Sequence, residues 1–230
     1  MCETSRDFLY LIWKDPESRR NYTVGKLSRG NPYVFEYCEE YKEAMEAGWE
    51  LLKAFPEDKK YTSPGLFAAF ESRLPDPKRR GIDRILKKYG LDAFDGYELL
   101  RKSTGRLPID TYEFIDPIFP EDETVIREFY IVGIRHNAKC HGTQCSDLPA
   151  VSLDDELELR PEQTNEHDSS AVAAFAKQGE MLGYIPRYYS KGISARLAHG
   201  MTYDCSVIEI DKQQNCENCL KVRLRIPRDS

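Results

Sequence analysis

From Arg127 onward, apolar side chains recur at every second position in short runs, and turn residues break those runs at regular spacing. REFYIVGIR, DELELR, SAVAAFA, EMLGYIP, TYDCSVIEI and CLKVRLRIP all carry this pattern. A period of two sends alternate side chains to opposite faces of a strand, so these segments fit half-buried sheet and not amphipathic helix. Several short strands with regular turns bury their apolar faces best by curling into a small barrel. One segment breaks the pattern. RYYSKGISARLAHG has helical spacing and stops at Gly200, so the second half is expected to be a small, mostly-β barrel with one helix.

The first half changes character along its length. FLYLIW and YTVGKLS flank KDPESRRN, whose Asp-Pro marks a turn, and a hairpin is expected. YVFEYC reads as a third strand. Helical spacing follows: EEYKEAMEAG places Tyr41, Ala44, Met45 and Gly48 on one face, and TSPGLFAAFESRLP offers Ser63 as N-cap and Pro64 as the first helical residue. PKRRGIDRILKKYG and DGYELLRKSTG are two further amphipathic helices ending at glycines, and DTYEFI reads as a returning strand. Strands followed by helices predict an α+β domain. DPIFPEDET, with two prolines and four acidic residues, has little to bury and reads as a linker. The expected fold class is therefore α+β throughout, with domains at 1–115 and 125–230 joined by 116–124.

Composition narrows the function. The 230 residues are 40% hydrophobic and 31% charged, with a net charge of −6. Residues 1–124 carry 20 basic and 24 acidic side chains, and residues 125–230 carry 13 and 15. Neither half has the basic excess of a protein that coats duplex DNA, so any nucleic-acid contact must be local. No apolar run approaches the ~20 residues of a membrane helix, and no membrane partner is expected. The polar opening MCETSRDF is unlike a secretory leader, and seven cysteines is an odd number. Both features point to a reducing cytoplasm.

Three pieces of the second half, in order, carry a resemblance: FYIVGIR, LELRPEQTNEHDSSAVAAF and LGYIPRYYSKGI. A Gly-x-Arg strand end, an Asn-x-x-Asp loop before an Ala-Val strand and a Gly-Tyr-x-Pro hairpin exit together resemble the HIRAN domain, over roughly residues 127–226. Nucleic-acid-binding members of that family hold the 3′ end of a single strand. An acidic side chain accepts the terminal hydroxyl, aromatic rings stack on bases and basic groups meet phosphates. The resemblance implies Asp168 as hydroxyl acceptor, with Asn165 as its loop partner and His167 facing the base. It puts Arg135 and His136 in the phosphate and stacking places, and Tyr184 and Arg187 at the hairpin exit. His136 and His167 replace the tyrosines of the eukaryotic pattern, and an imidazole offers less stacking area. Read from the residues alone, Asn165 and Asp168 could equally cap the turn into the following strand.

The first half resembles the N-terminal subdomain of HipA-type toxin kinases, through YTVGKLS, YVFEYC, LFAAFESRLPD, RILKKYGL and ELLRKSTG, over roughly residues 8–115. In those kinases the subdomain precedes the catalytic body and helps contact the antitoxin, which implies a protein-docking role. No phosphate-cradling glycine loop, metal-binding aspartate or catalytic base of a kinase is legible.

CHGTQC and CENC supply Cys140, His141, Cys145, Cys216 and Cys219. Two thiol pairs could complete a tetrahedral zinc site, although only the second has knuckle spacing. The expectation adopted is no metal and no cofactor. KVRLRIPR alternates a core face with a basic face, which is either a phosphate track or a solvated strand face guarding against aggregation. No nucleophile and base stand in a motif. The sequence therefore predicts a non-enzymatic adaptor that binds a single-stranded DNA end through its second half and an unidentified protein through its first. The alternative is a regulatory protein-interaction module without DNA binding. A zinc-dependent hydrolase is the third reading, and it requires the cysteines to bind metal.

Overall fold

The computed structural model describes residues 7–119, 123–137, 151–211 and 218–227. The chain divides into two compact units, Met1–Pro117 and Ile118–Ser230.

In the first unit, β1 (Phe8–Lys14) and β2 (Asn21–Ser28) form the expected antiparallel hairpin. Its turn is set by Asp15, whose carboxylate accepts from the backbone N–H of Glu17 and Ser18 and from the Ser18 hydroxyl. β3 (Tyr33–Tyr37) pairs with β2, and α1 (Tyr41–Glu46) follows. β4 (Tyr61–Ser63) adds to the edge of β3. After α2 (Ala68–Glu71), α3 (Ile82–Lys88) and α4 (Gly96–Ser103), β5 (Tyr112–Ile115) returns antiparallel to β1. The resulting five-stranded sheet runs β4-β3-β2-β1-β5.

Phe35 is the centre of its core, with ring centroids 4.4 Å from Phe55 and 5.2 Å from Phe70. Gly25 on β2 makes room for it, since a Cβ there would stand 2.6 Å from the Phe35 ring. The approach to β5 is held by Arg73, whose guanidinium donates to both carboxylate oxygens of Asp110 (2.8 and 2.7 Å) and to the carbonyls of Gly105 and Tyr112.

Two local expectations fail here. Ser63 does not cap a helix: it ends β4, its hydroxyl accepts from Gly65 N–H, and α2 begins only at Ala68. Pairing with β3 outweighs the Ser-Pro start signal. Met45, placed on the apolar face of α1, is 47% exposed, whereas Ala44 is fully buried. In this six-residue helix Ala44 is the one fully buried side chain, and Tyr41, half-buried, packs beside Tyr37 against the same core.

The second unit holds β6 (Val125–Tyr130), α5 (Ile134–Asn137), β7 (Glu158–Pro161), β8 (Val172–Phe175), β9 (Met181–Tyr184), α6 (Arg187–Ala198), β10 (Asp204–Ile210) and β11 (Leu220–Ile226). They form two three-stranded sheets, β10-β11-β6 and β7-β8-β9. The sheets meet at two seams, each with a single antiparallel bridge: Val132 to Tyr184 and Glu156 to Ser206. The arrangement is barrel-like, but the ladder is not continuously closed. The expected single helix is also corrected, because α5 is a second. The strand anticipated through Arg135 stops at Tyr130, and Gly133, at φ +75°, turns the chain into α5. A left-handed φ of this kind is available to glycine at little cost.

α6 lies on the start of this unit. Tyr189 packs its ring 5.5 Å from Phe129. Arg196, only 1% exposed, donates from its guanidinium to the carbonyls of Phe119 (3.0 Å) and Glu123 (3.3 Å). Gly192 abuts the Ile118 carbonyl so closely that any Cβ would collide with that backbone. Part of the stretch that reads as a linker is thus anchored to α6. Gly192→Ala is expected to destabilise the second unit by about 1–3 kcal/mol, the usual cost of overpacking a closed contact. Thermal unfolding checks it, and an unchanged melting temperature would show that Ile118 is free to move aside.

Candidate functional site

The ten residues between β7 and β8 contain the Asn-x-x-Asp loop, Asn165 to Asp168. The ladder continues one step past β7, with Glu162 N–H donating to Ala171 O at 2.8 Å, and the loop then leaves the sheet. Asn165 organises it. Its Oδ1 accepts from the backbone N–H of His167 (3.0 Å) and Asp168 (3.2 Å), while its Nδ2 donates to Glu162 Oε2 (3.2 Å) and lies 3.4 Å from the Tyr184 hydroxyl. Tyr184 in turn donates to the same Glu162 oxygen at 3.0 Å. One carboxylate therefore holds both the loop amide and the phenol of β9. Burial pushes the Tyr184 phenol above its ordinary pKa, and the hydrogen bond to Glu162 with that carboxylate's charge pushes it further, so it stays a proton donor.

Asp168 is also a turn-former. Its Oδ1 accepts from Ser170 N–H at 2.9 Å, and its backbone carbonyl accepts from Ala171 N–H. The capping role of Asn165 and Asp168 is thus present in the fold. It consumes the polar atoms of Asn165, but it leaves Asp168 Oδ2 without a hydrogen-bond partner among the described residues.

The remaining residues arrive from other elements. Val132 exchanges both backbone hydrogen bonds with Tyr184, at 2.9 and 2.8 Å, which sets α5 beside the end of β9. Gly133 then faces the Tyr184 ring; a Cβ there would lie 3.7 Å from it. Asn137 Nδ2 donates to Gly133 O and closes the single helical turn, while Ile134 is fully buried beneath it. Arg135 and His136 lie on the outer side of that turn, both exposed. Arg187 is the first residue of α6, three positions after Tyr184, and is exposed, as is His167 in the loop. The fold therefore draws α5, the Glu162–Asp168 loop and β9 together around Tyr184. It makes no direct bond among Arg135, His136, His167 and Arg187.

Glu162 is the member that sequence reasoning missed. Its only signal was a carboxylate three positions before Asn165, in a run where every residue is polar. The basic face of KVRLRIPR is partly matched within the fold: Lys221 (3.2 Å) and Arg223 (2.8 Å) pair with Glu128 across the β11–β6 register. Burial raises the Glu128 carboxyl, but hydrogen bonds and charge from Arg223 and Lys221 outweigh it and hold the pKa low. Of the zinc candidates, Cys140, Cys145 and Cys216 lie outside the described residues, as does His141, and Cys219 is buried. Among the described residues no cluster of three or more metal-ligating side chains occurs.

With this geometry in place, comparison with known proteins identifies the parts. Residues 127–227 match the HIRAN domain and residues 19–108 match the HipA N-terminal domain. The second half is thus similar to the HIRAN domain and the first to the HipA N-terminal domain. Two solved structures are similar over 46% of this chain. One is a protein from Lactobacillus plantarum, at 21% identity over 97% of its own length, with a TM-score of 0.38. The other is the HIRAN domain of human HLTF, at 12% identity over 80% of its length, with a TM-score of 0.33. No curated protein matches the chain.

The Asn165 network gives a stability expectation independent of any ligand. Asn165→Ala removes two turn bonds and the link to Glu162, and should cost about 1–2 kcal/mol, as loss of a capping side chain does. Glu162→Gln keeps an acceptor for Tyr184 and should melt close to wild type. Thermal melts of both proteins check this, and a neutral Asn165→Ala would show that the loop holds itself without that side chain.

Proposed function

We propose that this protein is a non-enzymatic adaptor whose HIRAN domain binds the 3′ end of single-stranded DNA, while the HipA-like domain docks a protein partner. The observation that carries the reading is the free Oδ2 of Asp168, on a loop that Asn165 ties to Glu162 and Tyr184, within a sequence that matches the HIRAN domain. A carboxylate with an open oxygen is suited to accept a terminal 3′-hydroxyl. Arg135 and Arg187, exposed on either side of Tyr184 in sequence, serve as phosphate contacts, and the His136 and His167 rings serve as stacking surfaces. Asn165 acts by shaping the loop. Small local charge agrees with a site for one strand end and not for a duplex.

Docking by the first domain rests on its HipA match. No catalytic step is assigned to either domain, and no cofactor. No helix among the described residues is long and apolar enough to cross a membrane. The cytoplasm, inferred from cysteine usage, is the compartment assigned.

Fluorescence anisotropy with single strands ending in 3′-hydroxyl or 3′-phosphate tests the end-binding reading. The wild type should prefer the hydroxyl, because a terminal phosphate sets an anion against Asp168. Asp168→Ala should abolish that preference, since a hydrogen bond to a charged group contributes about 1.5–3 kcal/mol, or more than tenfold. Arg135→Ala should weaken all single strands alike and lower the salt slope by about one. Equal wild-type affinity for both ends would leave only the protein-docking reading.

Metal content is a separate check. Protein purified without chelator should contain no stoichiometric zinc. One zinc per chain, lost in Cys216→Ser, would reopen the hydrolase reading.

A further inference from the structure

The turn into α3 and the exposed side of that helix concentrate positive charge in an otherwise acidic unit. Residues 76–90 hold Lys78, Arg79, Arg80, Arg84, Lys87 and Lys88 against only Asp76 and Asp83, whereas the rest of residues 1–124 carries 14 basic and 22 acidic side chains. All six cations are exposed. Four other arginines of this unit are paired: Arg20 with Glu43, Arg29 with Asp95, Arg73 with Asp110 and Arg101 with Asp7. Arg79, Arg80 and Arg84 have no ion pair and no side-chain hydrogen bond among the described residues.

The backbone beneath these arginines is fixed. Asp76 Oδ1 accepts from Lys78 N–H at 2.7 Å, and the Asp76 carbonyl accepts from Arg79 N–H at 3.0 Å. Arg79 O then accepts from Ile82 N–H at 3.3 Å, and Gly81, at φ +84°, completes the entry to the helix. Leu86 is the one buried side chain of α3, with Ile82 and Ile85 half-buried. Helix stability accounts for the lysines and not for the arginines. Lys87 and Lys88 stand in the last turn, where the helix dipole favours cations. Arg84 stands in the first turn, and Arg79 and Arg80 just precede it, at the end where the dipole favours anions. Arg84 is also three and four positions before Lys87 and Lys88, spacings at which like charges weaken a helix. A short helix thus carries repulsion that its own fold does not offset.

We propose that Arg79, Arg80 and Arg84 bind the phosphodiester backbone of a nucleic acid, without regard to base sequence or strand ends. This goes beyond the end-binding reading and stands without it. Chemistry selects the occupant. A guanidinium fork matches two oxygens of one phosphate, and the three unexplained cations are all arginines. Contacts to a nucleic-acid backbone need cations and little else. A protein partner would need an apolar centre in the contact, and the apolar residues of α3 are buried or half-buried on its packed side. The competing role is a solvated helix surface that touches nothing.

The probe is a covalently closed circle of single-stranded DNA, which has no end for Asp168 to read, titrated with the full chain by fluorescence anisotropy over a series of salt concentrations. Wild type should bind the circle with a clear salt dependence. Replacing Arg79, Arg80 and Arg84 together by alanine should lower the slope of log affinity against log salt by about two, since each phosphate contact on a single strand contributes about 0.7. Replacing three exposed lysines of the same unit, Lys42, Lys53 and Lys102, by alanine should leave the slope nearly unchanged. Asp168→Ala should bind the circle as the wild type does. The arginine variant should melt at or above wild type, because like-charge repulsion is relieved. No binding of the circle by wild type would overturn the proposal. So would an equal loss in the lysine variant, which would mean net charge alone, or a lower melting temperature of the arginine variant, which would mean support of the fold. Polyglutamate of equal charge competing as well as the circle would also overturn it, in favour of an acidic protein partner. A circle that binds through the arginines, with equal wild-type affinity for the two linear end chemistries, would remove the end-binding reading and leave this one standing.

Discussion

The candidate site depends on the pair of backbone hydrogen bonds between Val132 and Tyr184. Val132 lies two residues past the end of β6, Tyr184 ends β9 of the other sheet, and their 2.9 and 2.8 Å bonds form one of only two seams between the sheets among the described residues. That pairing sets α5 beside β9, and the fully buried Ile134 packs the helix down there. Gly183 shows how close the approach is: a Cβ there would collide with the Val132 carbonyl. The Gly-Tyr dipeptide therefore does two jobs at neighbouring positions. Gly183 admits the strand end of one sheet, and Tyr184 sends its hydroxyl into the loop of the other.

From that seam the polar groups follow in order. Tyr184 donates to Glu162, Glu162 receives the Asn165 amide, and Asn165 caps the N–H groups of His167 and Asp168. Each step is a single hydrogen bond of modest net worth. Their value lies in order, because they hold a ten-residue connection in one shape before a ligand arrives, and ligand binding then has less entropy to overcome. The capping and binding roles weighed for this loop are therefore not rivals. A carboxylate that must meet a hydroxyl at hydrogen-bond distance needs a stiff loop, and the capping side chains stiffen it.

Much of the fold was legible because its causes are local. Asp15 makes the first hairpin turn through side-chain bonds within three residues. Asp95 caps α4 by accepting from Glu98 N–H at 3.1 Å, and Gly105 and Gly200 take positive φ after the helices they follow. Alternation placed β7 to β11 close to where they lie. The failures have a common cause. Ser63 and Pro64 carry a sound helix-start signal, but β3 offers Tyr61–Ser63 a partner, and strand pairing prevails. REFYIVGIR reads as one strand through Arg135, but the strand stops at Tyr130 and a backbone turn at Gly133 hands Arg135 and His136 to a helix. In both places a neighbour distant in sequence, or one glycine torsion, decides between two states that local propensity leaves close in energy.

By itself the sequence determined the two-part α+β organisation, the period-two character of the second half and the polar loop containing Asn165 and Asp168. Turn chemistry and side-chain period act within a few residues, so they can be read along the chain. Only the tertiary structure decided that Glu162 joins the site, that Tyr184 is its hub, that Lys221 and Arg223 face Glu128, and that the Arg160 guanidinium carbon stands 4.1 Å from the centre of the Phe175 ring. Each of those depends on strand register. A shift of one residue would turn every one of these side chains to the opposite face, and register is set by pairing between segments that the linear sequence does not place together.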